Sequence, residues 1–225
     1  MTSFVAVPGA FRGAWYWERL AAELSARGDR LVGVDLVGAD LDAWIASVSG
    51  AFDANDFERA VLVGHSMGGV VAQASTGVLG DRCARLVLLD SPLIEAGQRA
   101  VDVSSEHPPS DAALPPREAL IPPSPVGAAQ GFDDPALAAW VNERLAPVPM
   151  GPQLDRVPVA PGSGGSVRPA ATTIVFFSCT PDGFPSTFAR RRCEREGIPH
   201  TVLDAHHDAP ILDPALVAGV VRDQA

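Results

Sequence analysis

The sequence predicts an α/β protein with a mostly parallel sheet, helices on both faces and a proline-rich insertion, and three observations carry that prediction. Short apolar runs alternate with helical segments along most of the 225 residues. One apolar run leads through Gly64-His65-Ser66-Met67-Gly68 straight into a helix. The stretch 91–170 holds 15 of the 21 prolines, including Pro108-Pro109, Pro115-Pro116 and Pro122-Pro123, and so lies outside the sheet.

Residues 4–7 form the first strand. Residues 15–27 follow as an amphipathic helix, with Trp17, Leu20 and Leu24 on one face and Gly28 just past its end. Residues 31–34 are the second strand. Behind Asp40 as cap, Leu41, Trp44, Ile45 and Val48 recur at helical spacing over 41–48. Residues 60–63 and 85–89 are further buried strands. Beyond the insertion come a strand at 173–177, a helix at 184–196, a strand at 200–203 and a last helix at 214–221. Near-continuous apolar strands joined by helices suit a parallel sheet covered on both faces. The chain thus divides into core at 1–90, insertion at 91–170 and core again at 171–225. Within the insertion, 133–145 reads as a helix, with acidic capping, Pro135 in its first turn and Leu137, Trp140 and Val141 on a common face. Residues 161–166 read as a flexible return to the sheet. A long segment inserted after the strand that follows the Ser66 helix is expected to form a lid.

Composition narrows the function. A formal net charge of −10 repels phosphate backbones and anionic lipid, which excludes nucleic acid and membrane surfaces as expected partners. Cys83, Cys179 and Cys193 are odd in number and lack metal-ligand spacing, so they read as small core residues and neither a disulfide frame nor a metal site is expected. There is no apolar run of roughly 20 residues and no basic, cleavable leader, so a soluble cytoplasmic protein is expected. All 17 basic residues are arginines, and the absence of lysine removes Schiff-base chemistry, a phosphate-loop lysine and a Ser–Lys dyad. No cofactor is expected, and the oligomeric state is left open.

Val61, Leu62 and Val63 running into Gly64-His65-Ser66-Met67-Gly68 read as a sharp strand-to-helix turn that exposes a nucleophilic hydroxyl, Ser66, with glycines where side chains would collide. A serine needs a base, and the base needs an orienting carboxylate. His206 and His207, in the loop leaving the last strand, are the candidate bases. His65 occupies the variable position of the turn and reads as a packing residue, and His107 as a solvated loop residue. For the acid, Asp182 follows the 173–177 strand and is preferred. Asp90, directly after the 85–89 strand, is its rival. Met67 supplies one oxyanion N–H. The second comes from the loop after the first strand, where Pro8 has no N–H, so Ala10 is chosen with Phe11 as the alternative. Phe11, Leu137 and Trp140 are candidate pocket residues, although packing within the lid is the preferred reading of the last two.

The residues 4–17, the run 61–69 and Cys179-Thr180-Pro181-Asp182 together resemble the α/β-hydrolase superfamily, and within it the plant methylesterase and hydroxynitrile lyase family. The resemblance covers about two thirds of the chain and fades in the insertion. It implies an α/β-hydrolase fold, a triad of Ser66, Asp182 and His207, and oxyanion N–H groups on Ala10 and Met67. Pro214, at its offset after His207, supports that choice of histidine. Pro8 departs from the family's usual histidine. Gly9 stands where the lyase branch has threonine, and Asp208 where it has lysine, which disfavours cyanohydrin cleavage. Facing the site, Asp208 would favour a charged imidazolium on His207. Facing outward, it would be an ordinary turn residue. The expected activity is a serine esterase acting through an acyl-enzyme on small, fairly apolar carboxylic esters. A thioesterase, a lactonase, a tailoring enzyme with the same triad, or a ligand-binding receptor on the same fold are the alternatives.

Overall fold

The apolar runs assemble into one six-stranded parallel sheet in a computed structural model that describes residues 1–159, 168–169 and 171–223. The strands are β1 (Ser3–Val7), β2 (Arg30–Gly33), β3 (Ala60–His65), β4 (Cys83–Leu89), β7 (Thr172–Phe177) and β8 (Thr201–Leu203). Their order is β2-β1-β3-β4-β7-β8, which places β3 and β4 at the centre.

Alternate side chains of each strand enter different cores, as the two-residue repeat of a strand requires. Val5 and Val7 of β1 join Leu62, Leu86 and Phe176 on one face. There they meet Trp44, Val48 and Phe52 of α2 (Leu41–Ala54) and Val70 and Val71 of α3 (Met67–Leu79). Phe4 and Ala6 turn to the other face, with Val61, Val63, Val87 and Phe177. That face is covered by Leu20 and Leu24 of α1 (Glu18–Ser25) and by Val217 and Val221 of α8 (Pro214–Asp223). Asp40 caps α2 as expected, its side chain accepting from the Ala43 N–H at 2.8 Å. The helix runs six residues beyond the expected end at 48, because Phe52 continues its apolar face into the core.

The insertion is folded onto the core. It contains a two-stranded antiparallel ladder of β5 (Leu120–Ile121) and β6 (Val148–Pro149), with α4 (Pro135–Asn142) and α5 (Gly151–Leu154) around it. Asp134 caps α4 and Pro135 opens it. Two bonds dock the segment on the core, Ala146 N–H to the Phe11 carbonyl at 3.0 Å and Leu41 N–H to Asp155 at 2.9 Å, and within the insertion the Met150 N–H donates to the Ala119 carbonyl at 2.9 Å. The side chain of Asn142 exchanges bonds of 2.8 and 3.0 Å with the backbone of Val126, which ties the loop before α4 to that helix. The expected flexible return at 161–166 lies outside the described residues. Among the described residues no helix is long and apolar enough to cross a membrane.

Candidate active site

Ser66 sits at the junction of β3 and α3 with φ of 51° and ψ of −128°, a conformation that costs a side-chain-bearing residue energy and thrusts its hydroxyl outward. The turn closes only because glycine surrounds it. A Cβ at Gly68 would lie 2.2 Å from the Pro8 carbonyl oxygen, and one at Gly69 2.0 Å from Ser91 Oγ. The Ser66 N–H is held by the Leu89 carbonyl at 3.1 Å, tying the turn to the end of β4. Phe11, Ser66 and Asp90, three of the four non-glycine residues with positive φ among those described, gather around this point. Such clustering of backbone strain is characteristic of functional sites.

His207 lies in the loop between β8 and α7 (Ala209–Leu212), and its Nδ1 is 2.5 Å from Asp90 Oδ2. Asp90 is buried and also accepts from Thr180 Oγ1 at 2.6 Å and from the Phe177 N–H at 3.2 Å. Burial opposes its ionisation, but the His207 bond and these other donors hold the carboxyl below the usual range. Asp182, expected to meet His207, does not. It is 86% exposed and paired at 2.9 Å with Arg191. After β7 the chain turns Thr180 inward to Asp90 and carries Asp182 out toward solvent ahead of α6 (Pro185–Glu196).

Ser66 and His207 line one cavity of about 250 Å³, together with Phe11, Val126, Pro181 and Phe184 on its apolar side and Ser124, Gln130 and His206 on its polar side. Phe184 meets the His207 ring edge to face at 4.8 Å. Leu137 and Trp140 are not in this wall. They pack on the second core, where Trp140 stands edge-on to Trp15 at 5.3 Å, since the apolar face of α4 is turned toward the sheet. Cys83 and Cys193 are buried as expected, whereas Cys179 is exposed and lines the cavity, because it follows the open end of β7. Ala10 and Met67 flank the turn: a Cβ on neighbouring Gly9 would stand 3.0 Å from the Ser66 Cβ, so the loop after β1 lies directly against the Ser66 turn.

Two further features stand beside these residues, the first being the packing role expected of His65. His65 is fully buried, stacked on Tyr16 at 5.0 Å, and its Nε2 donates to the His207 carbonyl at 2.9 Å. Burial, reinforced by the nearby His207 and Arg12, keeps its ring neutral well below the ordinary imidazole range. Burial and the facing Asp208 carboxylate push the Tyr16 hydroxyl well above its ordinary value, so it remains a phenol. The second feature is Arg12, which meets Asp208 at 2.7 Å in a nearly sealed ion pair. Asp208 therefore faces inward but does not confront His207 as a lone charge. Among the described residues no cluster of His, Cys, Asp and Glu with metal-binding geometry occurs.

The parallel sheet with Ser66 at a strained strand-to-helix turn has the architecture of an α/β-hydrolase fold. Residues 4–220 match the α/β hydrolase family, and the chain belongs to it. A carbendazim-hydrolysing esterase of a Nocardioides strain is 31% identical over 108 residues, which cover 43% of this chain and 45% of that protein. A pFDCC methylesterase of Arabidopsis thaliana is 29% identical over 108 residues, covering 42% of this chain and 40% of the relative. The chain thus matches less than half the length of these curated relatives. The crystal structure of the Arabidopsis methylesterase MES16 superposes with a TM-score of 0.72 at 21% identity, over 99% of this chain and 98% of that one. The resemblance to plant methylesterases that the motifs implied is found in these comparisons.

Proposed function

We propose that this chain is a serine hydrolase that cleaves carboxylic esters of small, fairly apolar molecules through an acyl-enzyme. The observation that carries the reading is the His207–Asp90 bond of 2.5 Å at the mouth of the cavity that Ser66 lines. Ser66 Oγ attacks the ester carbonyl carbon while His207 Nε2 takes its proton. The tetrahedral oxyanion is met by the N–H groups of Ala10 and Met67. As the C–O bond breaks, His207 returns the proton to the leaving alkoxide. Water then attacks the acyl carbon, again deprotonated by His207, and the acid leaves as Ser66 recovers its proton. Asp90 accepts the Nδ1–H, fixes the tautomer and balances the imidazolium that forms. The aromatic and proline side of the cavity suits an apolar acyl or alcohol group, and the names of the similar esterases support ester hydrolysis.

Purified protein should release p-nitrophenol from short-chain p-nitrophenyl esters and be labelled at Ser66 by a fluorophosphonate. Loss of both in Ser66→Ala is the expected result. Equal, slow release by wild type and Ser66→Ala, with no labelled serine, overturns the proposal.

A further inference from the structure

Arg12 and Asp208 are 196 residues apart, yet Arg12 Nη2 stands 2.8 and 2.7 Å from the two carboxylate oxygens, and the side chains are only 10% and 3% exposed. Arg12 Nη1 also donates to the Ala10 carbonyl at 3.0 Å. That carbonyl belongs to the peptide joining Ala10 to Phe11, whose φ of 70° would relax without an external hold. The guanidinium lies over the Tyr16 ring at 5.4 Å, Tyr16 stacks on His65, and His65 bonds the His207 carbonyl. The contacts close a circuit: loop 9–13, Arg12, Asp208, His207, His65, Tyr16 and back to Arg12.

We propose that Arg12 and Asp208 are positioning residues that lock the loop carrying Ala10 to the loop carrying His207, so that oxyanion donor and base keep one fixed separation. The assignment to catalysis rests on the proposed esterase function. Both charges are needed together, because either alone would leave a buried, unpaired ion beside the imidazole. Lysine cannot replace Arg12, since one ammonium lacks the fork that serves Asp208 and the Ala10 carbonyl at once.

The test compares wild type with Arg12→Met, Arg12→Lys, Asp208→Asn and the neutral double variant Arg12→Met/Asp208→Asn, which keeps the site foldable without a lone charge. Arg191→Gln, which breaks surface contacts with Asp182, Glu106 and the Phe188 ring and leaves both loops alone, is the control. Hydrogen exchange of peptides spanning 9–13 and 205–208 reads the lock without any turnover. Exchange there should accelerate about tenfold or more in every variant but the control, with the central strands unchanged. On p-nitrophenyl butyrate, kcat should fall about 100-fold with KM within about threefold.

The ionisable groups packed around His207 are Asp90, His65, Tyr16 and this pair, with His206 and Cys179 on the same cavity wall. Removing Arg12 leaves the Asp208 carboxylate uncompensated and should move the acid limb of the kcat/KM profile to higher pH. Asp208→Asn should move it to lower pH. The neutral double variant removes both charges at once, so a fall in kcat there with the limb near its wild-type place reads positioning apart from charge. Unchanged exchange in 9–13, or full kcat with the limb in place, overturns the proposal. A wild type that turns over no ester sinks the proposed function instead, and the exchange data then decide the lock by themselves.

Discussion

Asp90 and His207 meet at 2.5 Å although 117 residues separate them, and the carboxylate that does so comes from the end of β4, not from the loop after β7. The geometry assigns the two carboxylates opposite fates: one buried with three donors, the other solvated beside Arg191.

Asp90→Asn should therefore lower ester turnover by about 10⁴-fold, the cost of an imidazole held in the wrong tautomer. Asp182→Asn should stay within about twofold of wild type, since an exposed ion pair contributes little. Steady-state kinetics on one p-nitrophenyl ester decide the matter, and the reverse ranking would return the role to Asp182.

A neutral, buried His65 makes stability depend on pH in a definite direction. Its folded-state affinity for a proton is well below that of the unfolded chain. Below about pH 6.5 the unfolded state binds a proton that the folded state refuses, so stability falls as pH drops, by up to about 1.4 kcal/mol per unit. Thermal melts at pH 7.5 and 5.5 should show a smaller drop for His65→Gln than for wild type. The glutamine amide retains a donor for the His207 carbonyl but has nothing to titrate.

Gly9 borders the Ser66 turn so closely that an added Cβ would press on the Ser66 Cβ at 3.0 Å and on His65 Nδ1 at 3.1 Å. Gly9→Thr should reduce kcat about 100-fold by displacing the turn, an ångström-scale error being sufficient for that loss. Fluorophosphonate labelling rates provide an independent reading, and wild-type labelling would show that the turn tolerates the side chain.

Two further glycines should respond in opposite ways. Gly69→Ala drives a methyl to within 2.0 Å of Ser91 Oγ where α3 crosses the sheet, and should cost about 1–3 kcal/mol. Gly50 lies inside α2 with nothing within 4 Å of an added Cβ, so Gly50→Ala should stabilise by about 0.5–1 kcal/mol. Urea midpoints for both variants suffice.

The strands, the helices and Ser66 were legible because they are written locally, in apolar periodicity and in glycines that a tight turn demands. His206 and His207 were both legible as candidates from their place after the last strand, and it was the family resemblance, through the offset to Pro214, that chose His207. The acid was not. Asp90 and Asp182 both follow strands at their C-terminal ends, and which side chain turns inward depends on the positive φ of Asp90 and on Thr180 meeting its carboxylate. Neither is visible in the spacing. Leu137 and Trp140 have the apolarity of pocket residues, yet helical periodicity cannot say that their face meets Trp15 and not a ligand. The Arg12–Asp208 contact joins the two ends of the chain, and no local pattern announces it.

In the proposed mechanism the orienting carboxylate comes from the end of β4, so Cys179 and Pro181, in the short connection beyond β7, handle no proton and their side chains form cavity wall. Those two positions form a rim that can be diversified independently of the chemistry. A library restricted to them should change which esters are accepted and leave the rate on a minimal ester such as an acetate nearly untouched.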